Sequence, residues 1–311
     1  MSPKHIILTL LIMLCPIGMA AQSNITRNKP KPAVTKPKPA ARPKAKPKAK
    51  PKPAPRHNNT SHSNNTSHSS STSSTSSTSN LSAELNKLIN NMVYVSGGTF
   101  TMGGTSEQGS VAYVDEKPTH NVTLSSYYIC KYEVTQALWR AVMGSNPSNF
   151  KGDNLPVECV SWNDCQTFIN RLNSYTGRNF RLPTEAEWEF AARGGNYSRH
   201  YKYSGSNYIG DVAWYDGNSS NRTHPVGTKQ PNELGLYDMS GNVYEWCSDW
   251  YGSYSSYSQS NPTGPNSGSD RVDRGGSWGG SARYCRSSYR GNLTPGYRFS
   301  NLGLRLVLSQ L

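Results

Sequence analysis

The apolar positions of this chain fall into two regimes. Before residue 81 they form a single run, residues 6–14, and then thin out. From Leu81 on they recur at short spacings, with no long apolar run. That second pattern predicts many short elements rather than a few long ones. Three helices can be placed in it. Over 135–144, Thr135 is a candidate N-cap, Leu138 and Val142 stand one turn apart, and Gly144 is a stop. Over 161–177, Ser161 and Asp164 make a capping pattern, Phe168, Ile169 and Leu172 share a face, and Gly177 closes it. Over 184–194, Thr184 and Glu187 form a capping box and Gly194 marks the exit. Strands are predicted at 92–103, 120–135 and 302–308, which are β-branched or alternating. The fold class is therefore α+β with a small, irregular sheet.

The first regime does not fold by this logic. Residues 1–21 carry Lys4, the apolar run and then small residues, the order of a secretory signal peptide cleaved after Ala20 or Ala21. The run is too short to span a bilayer, and Leu14 is too bulky before Cys15 for a usual lipid-attachment signal. This predicts a bacterial protein exported through the Sec route: secreted, periplasmic or on the cell surface. Residues 22–80 are a Lys/Pro-rich and then Ser/Thr/Asn-rich linker, extended at first and flexible after it. The folded domain is expected over 81–311.

Charge separates the same two regions. The chain has a net charge of +14, but 13 of its 33 Lys and Arg residues lie before residue 81, where there is no Asp or Glu. Residues 81–311 hold 20 basic and 19 acidic residues. A nucleic-acid-binding domain carries its basic footprint on the fold, so no nucleic-acid partner is expected. The basic linker reads either as a plain spacer or as a contact for anionic envelope polymers.

After export five cysteines remain: Cys130, Cys159, Cys165, Cys247 and Cys285. Five is odd, so at least one thiol is unpaired within the chain. His120, His200 and His224 show no ligand spacing and are expected at the surface or in hydrogen bonds.

Seven blocks of the folded part occur in a telling order: "MVYVSGGTFTMG", "YEVTQALWRAVMG", "PVECVSWNDCQTFINRLN", "RLPTEAEWEFAARGG", "NELGLYDMSGNVYEWCSDWY", "RVDRGGSW" and "NLGLRLVL". Together they resemble the sulfatase-modifying-factor family, whose best-known member is the formylglycine-generating enzyme. The resemblance covers about residues 92–308 and implies an irregular α+β domain of the C-type-lectin-like kind. The family's oxidase holds copper(I) between two cysteines, a soft-ligand pair suited to that ion. By the family's spacing, these fall three and eight residues after Gly-Gly-Ser. Here Gly-Gly-Ser is 275–277, the third position is Gly280 and the eighth is Cys285. Ser277 and Tyr284 match other positions lining the family's site. With one thiolate missing, copper is not expected, and Cys285, Ser277 and Tyr284 are catalytic candidates only if the oxidase reading holds with unusual ligands.

The resemblance also implies a structural Ca²⁺ held by the side chains of Asp238 and Glu245 and the carbonyls of Gly241 and Val243. Hard oxygen donors in a glycine-containing loop suit that ion. A second, looser match falls at Asn218.

One stretch remains. Residues 279–304 contain no Lys, Glu, Gln, Met or Trp, and place Arg286, Arg290, Pro295 and Arg298 among Gly, Ser, Tyr, Asn, Leu and Phe. This resembles the tails of retroelement-diversified proteins, which carry binding variety on the same fold; ordinary family drift produces the pattern as well. Tyr and Ser on a fixed scaffold make good contact residues, so Tyr284, Tyr289, Tyr297 and Phe299 form a candidate binding surface. The expected function is a non-oxidase domain binding a protein or glycan of the cell envelope. The alternatives are a formylglycine-generating oxidase with an unusual site and an envelope scaffold subunit.

Overall fold

The computed structural model describes residues 72–309. The signal peptide read over 1–21 and most of the linker read over 22–80 lie outside the described residues. The first element, α1 (Thr72–Asn90), begins inside the stretch read as linker. Leu81, Leu85, Leu88 and Ile89 pack from it onto the main apolar cluster, and α1 lies against α2 (Gln136–Met143). That i, i+4, i+7, i+8 stripe is an amphipathic face.

The three expected helices form where their caps stand. Thr135 accepts the Leu138 amide at 3.3 Å and Gly144 closes α2 with φ 78°. Helix α3 (Trp162–Thr176) opens on a reciprocal Ser161/Asp164 box and ends at Gly177 with φ 65°. Helix α4 (Glu185–Ala192) opens on a Thr184/Glu187 box. A fourth helix within the domain, α5 (Ile209–Val212), is one turn long.

Every residue of α4 is buried, including Glu185, Glu187 and Glu189. Buried carboxylates are tolerated only when paired, and each of these is. Arg181 clasps Glu187 at 2.6 Å, Arg274 bridges Glu185 and Glu189 at 2.8 and 2.6 Å, and Arg290 holds Glu185 at 2.6 Å. Helix α4 is thus an internal charge relay around which the C-terminal half is hung.

The strands make three small sheets. Strands β1 (Met92–Val95), β4 (Tyr127–Cys130), β11 (Val307–Leu308) and β5 (Phe180–Arg181) form one, in the order β1-β4-β11-β5. Strands β2 (Gly98–Met102), β3 (His120–Leu124) and β7 (Gln259–Ser260) form another. The third has the order β10-β6-β8-β9, from Leu302–Gly303, Tyr244–Trp250, Arg271–Arg274 and Gly291–Leu293 respectively. Each expected strand segment therefore splits between two sheets: β1 from β2, β3 from β4, β10 from β11. At the first split a side chain on Gly97 would stand 2.5 Å from the Leu124 carbonyl oxygen, so glycine lets the chain turn there.

The core has two main apolar clusters. One gathers Leu88, Leu138, Trp139, Phe168, Leu172 and Trp246; the other gathers Val122, Ile129, Trp188, Phe190, Leu236 and Val307. Trp188 and Trp246 are fully buried, and each indole N–H is satisfied, by Glu245 at 2.7 Å and the Val160 carbonyl at 3.0 Å. Among the described residues no helix is long and apolar enough to cross a membrane.

Candidate functional site

Strand β8 delivers the chain into the stretch of interest through Gly275 (φ 96°) and Gly276 (φ 75°). A side chain on Gly276 would meet Cys285 Sγ at 2.6 Å and the Tyr284 carbonyl oxygen at 2.8 Å. Glycine there allows the tight turn Ala282–Cys285 to fold back against the strand exit. Ser277 is buried, and its hydroxyl accepts from Asn301 Nδ2 at 3.2 Å.

Cys285 is sealed in this packing. It is fully buried beside Tyr203 and Val212, and burial, with Asp216 adding to it, pushes its thiol up to about 12. Burial thus favours the protonated thiol over the thiolate. Gly280 has room for a side chain, its nearest neighbour being the Tyr284 ring at 3.5 Å, but it supplies no sulfur. Cys247 belongs to a different cluster, around Trp188, and burial raises its thiol well above the ordinary value. Cys130, Cys165, Cys247 and Cys285 are free and buried.

Three of the four arginines of the same stretch are tied to carboxylates of the scaffold, while Arg283 is exposed. Arg286 is fully buried and grips Glu116 with both nitrogens, at 2.7 and 2.5 Å. Burial alone would raise the Glu116 carboxyl, but the Arg286 and Ser288 hydrogen bonds hold it below the usual range. Arg290 forms a two-point contact with Glu185 at 2.6 and 2.7 Å. Arg298 does the same with Asp164, the cap of α3, at 2.6 and 2.8 Å. Three arginines thus pin the stretch to three separate parts of the scaffold.

The rings between them face elsewhere. Tyr284, Tyr289 and Phe299 line a pocket of about 410 Å³ together with Tyr113, Tyr244 and Asp273. The rings of Tyr284 and Tyr289 lie 5.0 Å apart, and those of Tyr113 and Tyr289 lie 5.8 Å apart. Tyr297 stacks on Phe299 at 5.7 Å and is 52% exposed. Three of the four expected contact residues therefore line one pocket, and the fourth stacks on one of those three. Tyr113, Tyr244 and Asp273 were not among the candidates. They come from a loop and from β6 and β8, strands that the alternation test did not find.

Asp273 is distinctive. It is 3% exposed, and its Oδ2 has no hydrogen-bond partner. Burial pushes its carboxyl up to about 7 despite the opposing pull of Arg274. Its space exists because residue 291 is glycine, where a side chain would stand 2.0 Å from Oδ1.

The expected calcium donors Asp238 and Glu245 are both buried. Glu245 is fully buried, and its oxygens accept from Arg305 at 2.7–3.1 Å and from Trp188 at 2.7 Å. Asp238 accepts the Gly227 amide at 2.7 Å through one oxygen, and its other oxygen has no partner. Glu133 adds a third buried carboxylate, bonded to Asn242 and to the Val243 amide. Among the described residues, no group of three or more His, Cys, Asp or Glu side chains is placed to hold a metal. Arg305 engages Glu245, while the unpartnered oxygen of Asp238 lies buried near Glu133. Asn218 is committed as well, accepting the Tyr215 amide and donating to the Ala213 carbonyl. The histidines are dispersed: His120 is buried against Tyr254, His224 stacks on Trp214 at 3.7 Å, and His200 is exposed.

Comparison with known proteins follows the same lines. The family model for the sulfatase-modifying factor enzyme 1-like domain matches residues 78–310. Chaperone protein LppX of Paenibacillus barcinonensis is 39% identical over 240 residues, covering 61% of this chain and 82% of LppX. The formylglycine-generating enzyme of Mus musculus is 37% identical over 194 residues, covering 57% of this chain and 50% of that protein. The chain thus spans half the length of the mouse enzyme. Among solved structures, Treponema denticola variable protein 1 aligns with a TM-score of 0.64 at 37% identity, covering 70% of this chain and 95% of that one. PvdO from Pseudomonas aeruginosa aligns at 0.63 and 29% identity, covering 70% and 94%.

Proposed function

The chain belongs to the sulfatase-modifying factor enzyme 1-like family, and from that premise we propose that it is a binding member, not an oxidase. One observation carries this reading. Within residues 279–304 three of the four arginines, Arg286, Arg290 and Arg298, are spent on scaffold carboxylates, while Tyr284, Tyr289 and Phe299 line a pocket. That division fixes the backbone and leaves the rings available for contact, the arrangement of a binding face on a rigid scaffold. Against the oxidase reading, Gly280 stands at the first cysteine position, so one of the two thiolates is missing, and burial disfavours the thiolate form of Cys285. Two of the similar proteins carry names that speak of a chaperone and of variability, which supports the reading; the formylglycine-generating enzymes carry the competing one.

In this proposal residues 1–21 export the chain, the 22–80 segment holds the domain away from its attachment, and the ligand belongs to the cell envelope. The test offers purified protein a Cys-x-Pro-x-Arg peptide with copper(I) and oxygen. No aldehyde on the peptide is expected by mass spectrometry. Formation of formylglycine at more than the rate of a protein-free control overturns the reading.

A further inference from the structure

The aromatic pocket contains a buried carboxyl, one oxygen of which has no hydrogen-bond partner among the described residues. Asp273 is 97% removed from solvent, as its exposure of 3% shows, and Oδ2 is unpartnered. A buried carboxylate without a counter-charge is costly. The cations nearest to it are engaged elsewhere. Arg274, the next residue, gives its terminal nitrogens to Glu185, Glu189 and the Ser287 carbonyl. Arg290 lines the pocket but donates to Glu185 and to the carbonyls of Asp115 and Gly252. Asp115, the second acid of the lining, accepts the Tyr251 hydroxyl at 2.7 Å. Two carboxyls, Asp115 and Asp273, thus line the pocket, and among the described residues no arginine or lysine is hydrogen-bonded to Asp273 Oδ2.

The walls point to the same class of ligand. Tyr113, Tyr244, Tyr284, Tyr289 and Phe299 line the same pocket as Asp273, with Tyr244 and Tyr289 close enough to interact with its carboxyl. Ring faces attract cations, and tyrosine faces do so strongly when water is excluded. The molecule already uses two of these rings this way: the exposed guanidinium of Arg283 lies 4.8 Å from the Tyr284 centroid and 5.9 Å from that of Tyr113. A neutral sugar would leave the Asp273 charge unanswered, and an anion would be repelled by Asp273 and Asp115.

We propose that this pocket binds an alkylammonium group, with Asp273 as its counter-ion and the rings of Tyr113, Tyr284 and Tyr289 as its walls. The proposal rests on the binding role argued above and names its ligand class. A pocket of about 410 Å³ holds such a group with a short tail. The ammonium is carried either on a free small amine or on a lysine side chain of a partner, and the test separates these sources.

The experiment titrates the purified domain, with its linker, by calorimetry and by NMR of the tyrosine rings. The probes are choline, its uncharged isostere 3,3-dimethylbutan-1-ol, N-acetyl-lysine methylamide and N-acetylglucosamine. Saturable binding is expected for choline or the lysine amide, with the uncharged isostere about tenfold weaker or worse. Preference for choline assigns a small amine as the source, and preference for the lysine amide assigns a protein lysine. Asp273→Asn should weaken the charged probe about tenfold while leaving the isostere unchanged. If that variant does not fold, Tyr289→Ala and the charged-against-neutral comparison on the wild-type protein carry the test. Equal binding of the isostere or of N-acetylglucosamine, no saturable binding of either cation, or a folded Asp273→Asn that binds choline unchanged overturns the proposal. None of these results bears on peptide oxidation, so the two readings fail separately.

Discussion

The two sides of the stretch 279–304 are held by opposite means. On the inner side Arg286, Arg290 and Arg298 each make two-point contacts with Glu116, Glu185 and Asp164. Such a contact fixes distance and orientation together, so it dictates both partners. On the outer side Tyr284, Tyr289, Tyr297 and Phe299 touch mainly one another through their rings. Ring contacts are tolerant of substitution, because nothing charged is stranded when one is lost. The difference teaches how one segment can be rigid in backbone and free in surface chemistry. It also explains why the arginines in this stretch stand out from the small and aromatic residues around them.

The sharpest way to break the contrast is to remove an inner anchor. Arg286→Ala leaves Glu116 buried and unpaired, and should cost about 3–5 kcal/mol in urea unfolding. A loss under about 1 kcal/mol would show that the inner side is no more committed than the outer. The next effect is in pH. Burial pushes Asp273 and Asp249 up to about 7, and Glu158 likewise. Between about pH 4 and 7 these carboxyls hold protons in the folded chain and lose them in the unfolded chain. Their contribution to stability is therefore present in acid and is lost as pH rises through about 7. Glu116 and Glu185 do the reverse: held below the usual carboxylate range, they contribute above it and lose that contribution in stronger acid. The melting temperature should fall from pH 5 to pH 8, and Asp273→Asn should flatten part of that fall. A curve that Asp273→Asn leaves unchanged would remove the open face from the account. The smallest effect is at the rim. Tyr297→Ala, at a ring 52% exposed, should change stability by less than about 0.5 kcal/mol, measured in the same urea titration. A larger loss would mean that the outer side is also structural.

Much of this was legible in the chain, for local reasons. The caps of α2, α3 and α4 are interactions within three or four residues, so Thr135, Ser161 and Thr184 announce them without help. The stripe Leu81, Leu85, Leu88, Ile89 is equally local in spacing, but it carries no capping signal before it. The strands were less legible. Segments 92–103, 120–135 and 302–308 carry strand composition, but each divides between two sheets, and period-two alternation says nothing about which sheet receives a residue. Strands β6 and β8 were not found by that pattern, since their faces are both largely buried.

The chain by itself determined the family, the α+β class, the missing thiolate at Gly280 and the tyrosines offered for contact, because each of these is a matter of residue type and spacing. The tertiary structure alone decided that Cys285 is sealed, that Glu245 answers Arg305, and that Tyr113, Tyr244 and Asp273 meet the rings of the C-terminal stretch. Those outcomes depend on burial and on pairings over more than a hundred residues, such as Arg286 with Glu116, |i−j| 170. A charge is cheap or costly only by what the fold places beside it, and that neighbour is nowhere in the local sequence.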